Sequence, residues 1–397
     1  MECPLNRYYS LNRLLLSIIG LWPYQSAINA WILRVLTMAI LIWFLIAQTA
    51  KIYMTELTTD FVLDVLPIII PHVGIMMKDL LDRIKVDWER TSSQDEIKIM
   101  QTYAAATRKM SISFSFYVFI GTSAYIFMTI IPQILDVFLP LNESRSREHP
   151  FHVEFFIDDK KYFYVIRFQL YFILAFLMEV ILANVIIFVI YMQHASGMFA
   201  VLGHRAEQLF DVPSPKARSV RETGEDHRNV LLFIEDHRKV IQFVDVIQSC
   251  YSLLIVAEFL VLIILIGITL VQITKFSGTD RPVRSIAYVI GQLIYLFMSS
   301  YMGQHLIDTS AQMSMKVYFA KWHNMSIWKQ KIMLFIMMRC MRTVSLNLYS
   351  VCPVNLENFS AVSDIGDIRI LSSPPLSNIS VNFVLRLCSK LYRSVCC

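Results

Sequence analysis

Charged residues are scarce in this chain, and their scarcity indicates its class. Asp, Glu, Lys and Arg make up 17% of the 397 residues and hydrophobic residues make up 56%, whereas an average soluble domain has about 25% charged residues. Glycine and proline are also few, at 11 and 13 residues, which argues against a disordered chain. Because no soluble fold buries that much apolar surface, the composition indicates a membrane protein.

Motifs that carry catalysis are missing as well. The seven cysteines include no CxxC pair and none in a predicted outside loop, which argues against a disulfide framework or a zinc site. The sequence has no phosphate-binding P-loop, no GxGxxG and no GxSxG. His149 and His152 lie close together, but no matching Cys, Asp or Glu pattern accompanies them. The sequence therefore predicts no enzyme, metal, cofactor or nucleic-acid partner.

Long apolar runs are abundant. A bilayer core about 30 Å thick requires roughly 20 apolar residues in a helix, and the chain offers six such runs. The predicted spans are residues 31–50, 61–77, 110–135, 163–193, 246–274 and 285–304. Arg34 lies near the end of the first span, where it is expected to reach the headgroups. Glu179 and Glu258 lie within later spans, where hydrogen bonding to another helix is the expected role. The predicted fold is an all-α polytopic membrane protein.

Lys and Arg alternate between the two sides of these spans. The segments 78–109, 194–249 and 304–331 contain seven, seven and four of them, whereas the intervening loops contain one, four and three. Positive residues are retained in the cytoplasm, so the amino terminus is predicted to be cytoplasmic, opposite to a G-protein-coupled receptor. Asn142, in an Asn-Glu-Ser sequon, then lies outside and is a glycosylation candidate.

The outer halves of the predicted spans are apolar, aromatic and lightly hydroxylated, which suits a small, volatile, uncharged ligand. Each aromatic side chain alone is better explained by helix packing, and only their convergence at one depth favours a pocket. The candidate ligand-binding residues are Ser123, Tyr125, Phe127, Tyr164, Phe168, Tyr171, Tyr288 and Gln292.

An apolar stripe precedes the fifth span. Ile234, Val240, Ile241, Val244 and Ile247 recur at near-helical spacing among charged residues. One interpretation is a helix that extends below the membrane and packs on its neighbours. The other is an interface between subunits, and the stripe alone does not choose between them.

Short motifs are distributed along most of the chain. They are Asn12-Arg13-Leu14-Leu15-Leu16, Gly20-Leu21-Trp22-Pro23, His237-Arg238 with Val240 and Phe243, Tyr251-Ser252, Glu258-Phe259, Gly303-Gln304, Ser310, Tyr318, Trp322, the basic segment 328–342, and Leu356-Glu357-Asn358-Phe359. In their order and spacing, over residues 1 to about 362, these segments resemble insect odorant receptors, particularly those of ants, bees and wasps.

The resemblance implies a seven-helix subunit of an odorant-gated cation channel, assembled as a hetero-tetramer with the shared olfactory co-receptor in the dendrites of olfactory neurons. It implies a ligand pocket among helices two, three, four and six. It also implies a subunit anchor at the cytoplasmic ends of helices four to seven, to which we assign His237, Val240, Phe243, Tyr318 and Trp322.

The resemblance ends near the carboxy terminus. The predicted organisation is a cytoplasmic segment 1–30, a six-span bundle 31–304, a cytoplasmic anchor region 305–342, a remnant of the seventh span 343–362, and a divergent tail 363–397. Pro374 and Pro375 cannot continue a helix. Either the pore-lining half of helix seven is missing and the tail is cytoplasmic, or residues 343–362 cross imperfectly. The first interpretation implies that this form alone would not make a normal pore.

Two other functions stay open on the sequence alone. A gustatory receptor of the same superfamily would end in a Thr-Tyr-hydroxyl-x-x-Gln-Phe motif, which is not found. A membrane transporter would need polar sites at mid-membrane depth, for which only Glu179 and Glu258 are candidates.

Overall fold

The fold is built from long helices. The computed structural model describes residues 9–22, 24–54, 66–91, 93–138, 161–210, 220–275, 281–320, 327–348 and 352–360. Within them lie α1 (Ser10–Ile18), α2 (Ala27–Met54), α3 (Leu66–Arg90), α4 (Gln94–Phe138), α5 (Phe163–Phe210), α6 (Val220–Lys275), α7 (Arg281–Phe319) and α8 (Ile327–Cys340). Two short antiparallel strands follow, β1 (Asn347–Leu348) and β2 (Cys352–Pro353).

The helices are longer than the predicted spans. Helix α5 has 48 residues and is therefore about 70 Å long at 1.5 Å per residue, more than twice the thickness of a bilayer core. Two described stretches, Gln94–Asp136 and Phe163–Leu209, are long and apolar enough to cross a membrane. Hydropathy locates the apolar part of each helix, but the helical hydrogen bonding continues into polar sequence. Residues 61–65 of the second predicted span lie outside the described residues.

The chain divides into two compact units, residues 1–81 with 108–188 and residues 82–107 with 189–397. In the first unit, large apolar side chains lie on the surface: Trp31, Phe119 and Phe168 are 67%, 72% and 73% exposed. Soluble monomers rarely expose contiguous apolar patches larger than a few hundred Å². Lipid, not water, is therefore the natural solvent of these side chains.

The first turn of the chain is tied to α2 by Arg34. Gly20 has a φ of 74°, and a side chain there would meet the carbonyl oxygen of Ala30 at 2.8 Å. The Nε atom of Arg34 donates a hydrogen bond of 2.8 Å to the carbonyl oxygen of Gly20. The expectation that Arg34 reaches for headgroups is thus wrong for its Nε atom, because the turn after α1 presents a carbonyl group that needs a donor.

The core of the second unit is the carboxy-terminal part of α5. Residues 189–199 are all buried, so this stretch has no solvent-facing stripe. Small residues allow neighbouring helices to approach it. A Cβ atom on Gly197 would lie 3.3 Å from the side chain of Tyr103 in α4, a spacing tighter than an ordinary van der Waals contact.

The hairpin formed by β1 and β2 is held against α6 and α7. The backbone N–H of Asn347 donates to the Oε1 atom of Gln248 at 3.2 Å, and that of Val344 donates to the Oγ atom of Ser310 at 3.1 Å. A helix restarts at residues 356–360, where Asn355 accepts a hydrogen bond of 2.9 Å from the backbone N–H of Asn358. The alternative in which residues 343–362 cross as one helix does not fit the hairpin. Residues 361–397 lie outside the described residues.

Gly303 in α7 is expected to be essential for this docking. A Cβ atom there would overlap the carbonyl group of Val354, so Gly303→Ala should destabilise the protein by about 1 to 3 kcal/mol. Gly121 in α4 is the matched control, because a Cβ atom there meets nothing within 4 Å, and Gly121→Ala should be neutral or stabilising by up to about 1 kcal/mol. Thermal unfolding of the purified variants in detergent measures both, and equal melting temperatures would contradict the prediction.

Candidate functional site

A buried polar cluster joins α4 and α5 in the first unit. The Nε atom of Arg167 donates to the hydroxyl oxygen of Tyr171 at 2.7 Å, and an Nη2 hydrogen bond reaches the carbonyl oxygen of Thr129. The side chains of Thr129 and Tyr171 are hydrogen-bonded at 2.7 Å. Arg167 is only 4% exposed, so a full positive charge lies inside the unit.

Pro132 lies inside α4, three residues after Thr129. Because a proline has no backbone N–H, it leaves the carbonyl group of Met128, four residues earlier, without its helical donor. The adjacent carbonyl group of Thr129 receives a hydrogen bond from Arg167 of another helix. Sequence reasoning missed Arg167, although a charged residue inside a predicted span, opposite a proline-bearing span, was a usable signal.

The ligand-binding residues predicted from the sequence have different environments. Tyr171 belongs to the polar cluster, Tyr125 is half-buried and Ser123 is exposed. Phe127, Tyr164 and Phe168 are 57%, 66% and 73% exposed, respectively. Tyr288 and Gln292 belong to α7, but their side chains lie outside the described part, as does Asn142 altogether. The structure therefore brings Tyr171 together with Thr129 and Arg167, whereas it places Phe127, Tyr164 and Phe168 on the surface of the unit.

Two histidines form polar contacts between α5 and neighbouring helices of the second unit. The Nε2 atom of His194 lies 3.1 Å from the Oδ2 atom of Asp87 in α3. The Nδ1 atom of His305 in α7 lies 3.2 Å from the Oγ atom of Ser196, and burial lowers the pKa of His305 below its ordinary value. The Nε2 atom of His194 and the hydroxyl group of Ser196 thereby each gain a partner on a neighbouring helix.

Arg205 connects three helices of this unit. It forms a bidentate pair with Glu96 of α4, at 2.7 and 2.9 Å, and a 2.7 Å hydrogen bond to Asp236 of α6. The hydrogen bonding to Glu96 raises the pKa of Arg205, against the opposing effect of burial. Such fork-shaped pairs fix geometry as well as contributing energy, so Arg205 sets the relative positions of α4, α5 and α6 within the unit.

The residues assigned to a subunit anchor also lie in the second unit. Val240 and Phe243 are 4% and 5% exposed, and the Phe243 ring packs on Tyr191 of α5 with centroids 6.3 Å apart. Their side chains thus face the core of the same chain. Tyr318 is 53% exposed, and Trp322 lies outside the described residues.

His237 contacts both α8 and the core of the unit, where its ring lies 6.4 Å from that of Phe199 in α5. Its Nε2 atom lies 4.0 Å from the Sγ atom of Cys340. Burial, with a smaller effect of the Arg339 charge, lowers the pKa of His237 to about 4, so the ring is neutral near neutral pH. The rings of His227 and Trp328 stack at 3.9 Å nearby, which gives α6 and α8 a second contact.

Glu179 and Glu258 are the glutamates within predicted spans, and the described residues form no transport site around them. The Oε1 atom of Glu179 is buried and, among the described residues, has no hydrogen-bond partner, so the expected hydrogen bond to another helix is not found for this atom. The Glu258 side chain lies outside the described part. Within the residues that the structure describes, no group of three or more His, Cys, Asp or Glu could hold a metal ion.

Comparison with solved structures shows the same architecture. The chain is similar to the insect olfactory receptor OR5 from Machilis hrabei in complex with eugenol, with a TM-score of 0.68 and 14% identity over 92% of this chain and 97% of that chain. A second structure of OR5 from Machilis hrabei gives a TM-score of 0.59 and 11% identity over 93% and 98%. No curated protein matches the sequence.

The long apolar helices and the lipid-facing first unit define a multi-pass helical membrane protein, and the similarity in fold is to receptors. The model of the 7tm Odorant receptor family matches residues 75–364, which is most of the chain. The protein therefore belongs to the 7tm Odorant receptor family. This result confirms the family that the sequence motifs indicated, and among the functions left open it favours an odorant receptor over a gustatory receptor or a transporter.

Removal of the Arg205 charge should destabilise the second unit. Because Glu96 is 9% exposed in its side chain, Arg205→Gln leaves a largely buried carboxylate unpaired, and we expect a loss of about 3 kcal/mol of stability. The double variant with Glu96→Gln should lose less than the sum of the single variants by at least about 1 kcal/mol.

The matched control for Arg205 is a surface pair. Lys98 and Asp95 lie 3.4 Å apart with side chains 74% and 62% exposed, so Lys98→Gln should change stability by less than about 1 kcal/mol. Chemical unfolding of all variants in detergent gives these values. Equal effects of Arg205→Gln and Lys98→Gln would show that Arg205 does not stabilise the unit.

Proposed function

We propose that this chain is an odorant receptor subunit that binds a small volatile ligand among its membrane-embedded helices and forms an odorant-gated cation channel with the shared olfactory co-receptor. Family membership over residues 75–364 is the observation that supports the proposal most directly. The likeness in fold to a receptor solved in complex with eugenol supports a ligand site in the membrane-embedded helices. We place the protein in the dendritic membrane of olfactory neurons with its amino terminus in the cytoplasm.

The cytoplasmic anchor between subunits then lies in the second unit, in the parts of its helices beyond the predicted spans. Its buried residues, Val240 and Phe243 among them, stabilise the fold of each subunit. Contacts with a second subunit would be made by the exposed apolar side chains, such as Leu231 (56% exposed), Tyr318 (53%) and Phe335 (68%). A surface with that much apolar area is typical of a protein-protein interface.

An incomplete seventh helix would prevent normal ion conduction by this form. The hairpin and the turn of helix at residues 356–360 bring the chain to the start of the final helix, and the family match ends at residue 364. Beyond it the sequence contains Asp364, Asp367 and Arg369, followed by Pro374 and Pro375. We propose that this form assembles but does not make a normal pore.

Currents recorded with the co-receptor test the proposed function. We expect no odorant-evoked cation current from the chain as given, and a current from a version in which residues 363–397 are replaced by a family-like apolar final helix. Surface delivery of both versions is the control, since a chain that never reaches the membrane conducts nothing. Equal odorant-evoked currents from both versions would show that the native tail supports a pore. No evoked current from the repaired version over a broad odorant panel would count against the receptor assignment.

Aromatic substitutions test the position of the ligand pocket. Tyr125→Ala or Tyr288→Ala in the repaired version should shift the odorant concentration for half-maximal current at least about tenfold for some odorants, because a methylene in an apolar pocket changes binding by about 1 to 3 kcal/mol. Phe119, 72% exposed on α4, is the matched control, and Phe119→Ala should leave the ranking of odorants unchanged. Unchanged tuning in both tyrosine variants would remove those residues from the pocket.

A further inference from the structure

The positive charge of Arg167 has no counterion in the described part of the chain. Its hydrogen bonds go to the hydroxyl group of Tyr171 and the carbonyl group of Thr129, both neutral. None of the ion pairs among the described residues includes Arg167. The guanidinium group lies 5.6 Å from the ring centroids of Phe163 and Tyr171. Aromatic faces stabilise a cation only partly, so the described residues around this buried charge leave room for an anion.

A second polar group beside the cluster also lacks an acceptor. The Nε2 atom of Gln133 is buried and has no hydrogen-bond partner among the described residues. Gln133 follows Thr129 by one helical turn on the same face of α4. The Nη1 atom of Arg167 also has no acceptor among the described residues, since the hydrogen bonds of the guanidinium group there use Nε and Nη2. The unused groups here are therefore donors, and a matching ligand must bring an acceptor.

We propose that Arg167 binds the carboxylate of a small organic acid, with Tyr171 and Thr129 holding the guanidinium group in place and Gln133 as a second donor. The proposal rests on the proposed function and makes it more specific, because it names the chemical class of the ligand. A carboxylate supplies the missing negative charge, and a planar guanidinium group binds it through paired hydrogen bonds. The apolar surroundings, including buried Ile166, Leu170 and Leu174, suit the hydrocarbon part of such a ligand.

The sequence alone pointed to an uncharged ligand, and Arg167 changes that expectation. Tyrosine, serine and phenylalanine side chains in the candidate pocket carry no charge, whereas a buried guanidinium group strongly favours an anion over an alcohol of the same shape. Short-chain acids meet both requirements, since they are volatile when protonated and become anions in water near neutral pH.

The affinity of the purified chain for matched ligands tests the proposal without requiring a pore. We would titrate straight-chain acids, alcohols and methyl esters of equal length near neutral pH, by calorimetry, into protein in maltoside detergent. The acid should bind at least about tenfold more tightly than its alcohol and its ester. Arg167→Gln should abolish this preference and leave the affinity for the alcohol within about twofold, and Arg167→Lys should restore part of it because the charge remains.

The control is the same substitution at an exposed arginine. Arg108 lies on the exposed face of α4, and Arg108→Gln should leave the preference for the acid intact. Retention of the preference in folded Arg167→Gln protein would overturn the proposal. If Arg167→Gln does not fold, the unsubstituted protein still tests the proposal. Equal affinities of that protein for the acid, the alcohol and the ester would also overturn the proposal.

Lipid phosphate is the other source of an anionic oxygen for Arg167. Repeating the titration in phosphatidylcholine nanodiscs separates the two sources, since maltosides carry no phosphate. The same preference in both media supports a ligand carboxylate, and its loss only in nanodiscs would assign Arg167 to a lipid headgroup and overturn the proposal. Failure of this inference alone leaves odorant-evoked currents of the repaired version intact. Failure of the proposed function removes those currents for every odorant.

Discussion

Burial of residues 189–199 of α5 is the constraint on which the second unit depends. A helix without an exposed face must supply a partner for every polar group that it carries. It meets this requirement at His194 with Asp87 of α3 and at Ser196 with His305 of α7. Farther along α5, beyond the fully buried stretch, Arg205 pairs with carboxylates of α4 and α6. The same contacts that satisfy α5 therefore fix four neighbouring helices around it.

The first unit solves a different problem. Its helices meet lipid, and lipid offers no hydrogen bonds to polar groups. Arg167 instead donates to the carbonyl oxygen of Thr129 and to the hydroxyl oxygen of Tyr171, so donors of this charged residue in a predicted span find acceptors within the protein. A charge used only for this purpose would be costly to bury, and a neutral donor would satisfy one carbonyl group equally well. This excess of positive charge is what distinguishes the cluster from ordinary helix packing.

The sequence predicted the helices better than the contacts. Apolar runs located the spans because the bilayer requires about 20 apolar residues in each, but they did not show how far α4 and α5 continue, since a polar helix outside the membrane has no hydropathy signal. For α6, the apolar stripe before the fifth span indicated the extension. The apolar stripe at Val240 and Val244 was visible, yet which surface it meets depends on the tertiary fold, and the structure buries both residues in their own chain. The pairing of Arg167 with Thr129 could not be predicted, because it depends on how α4 and α5 align 38 residues apart in sequence.

The hairpin of β1 and β2 is stabilised by helices that precede it in the chain. It is fixed by side chains of α6 and α7, and Asn355 then caps the turn of helix at residues 356–360. The Phe359 ring packs on Phe297 of α7 with centroids 5.5 Å apart. The turn of helix at residues 356–360 is therefore positioned by α7 and by the hairpin before it. Under the proposal that this form lacks a normal pore, these contacts would still hold this part of the second unit in place.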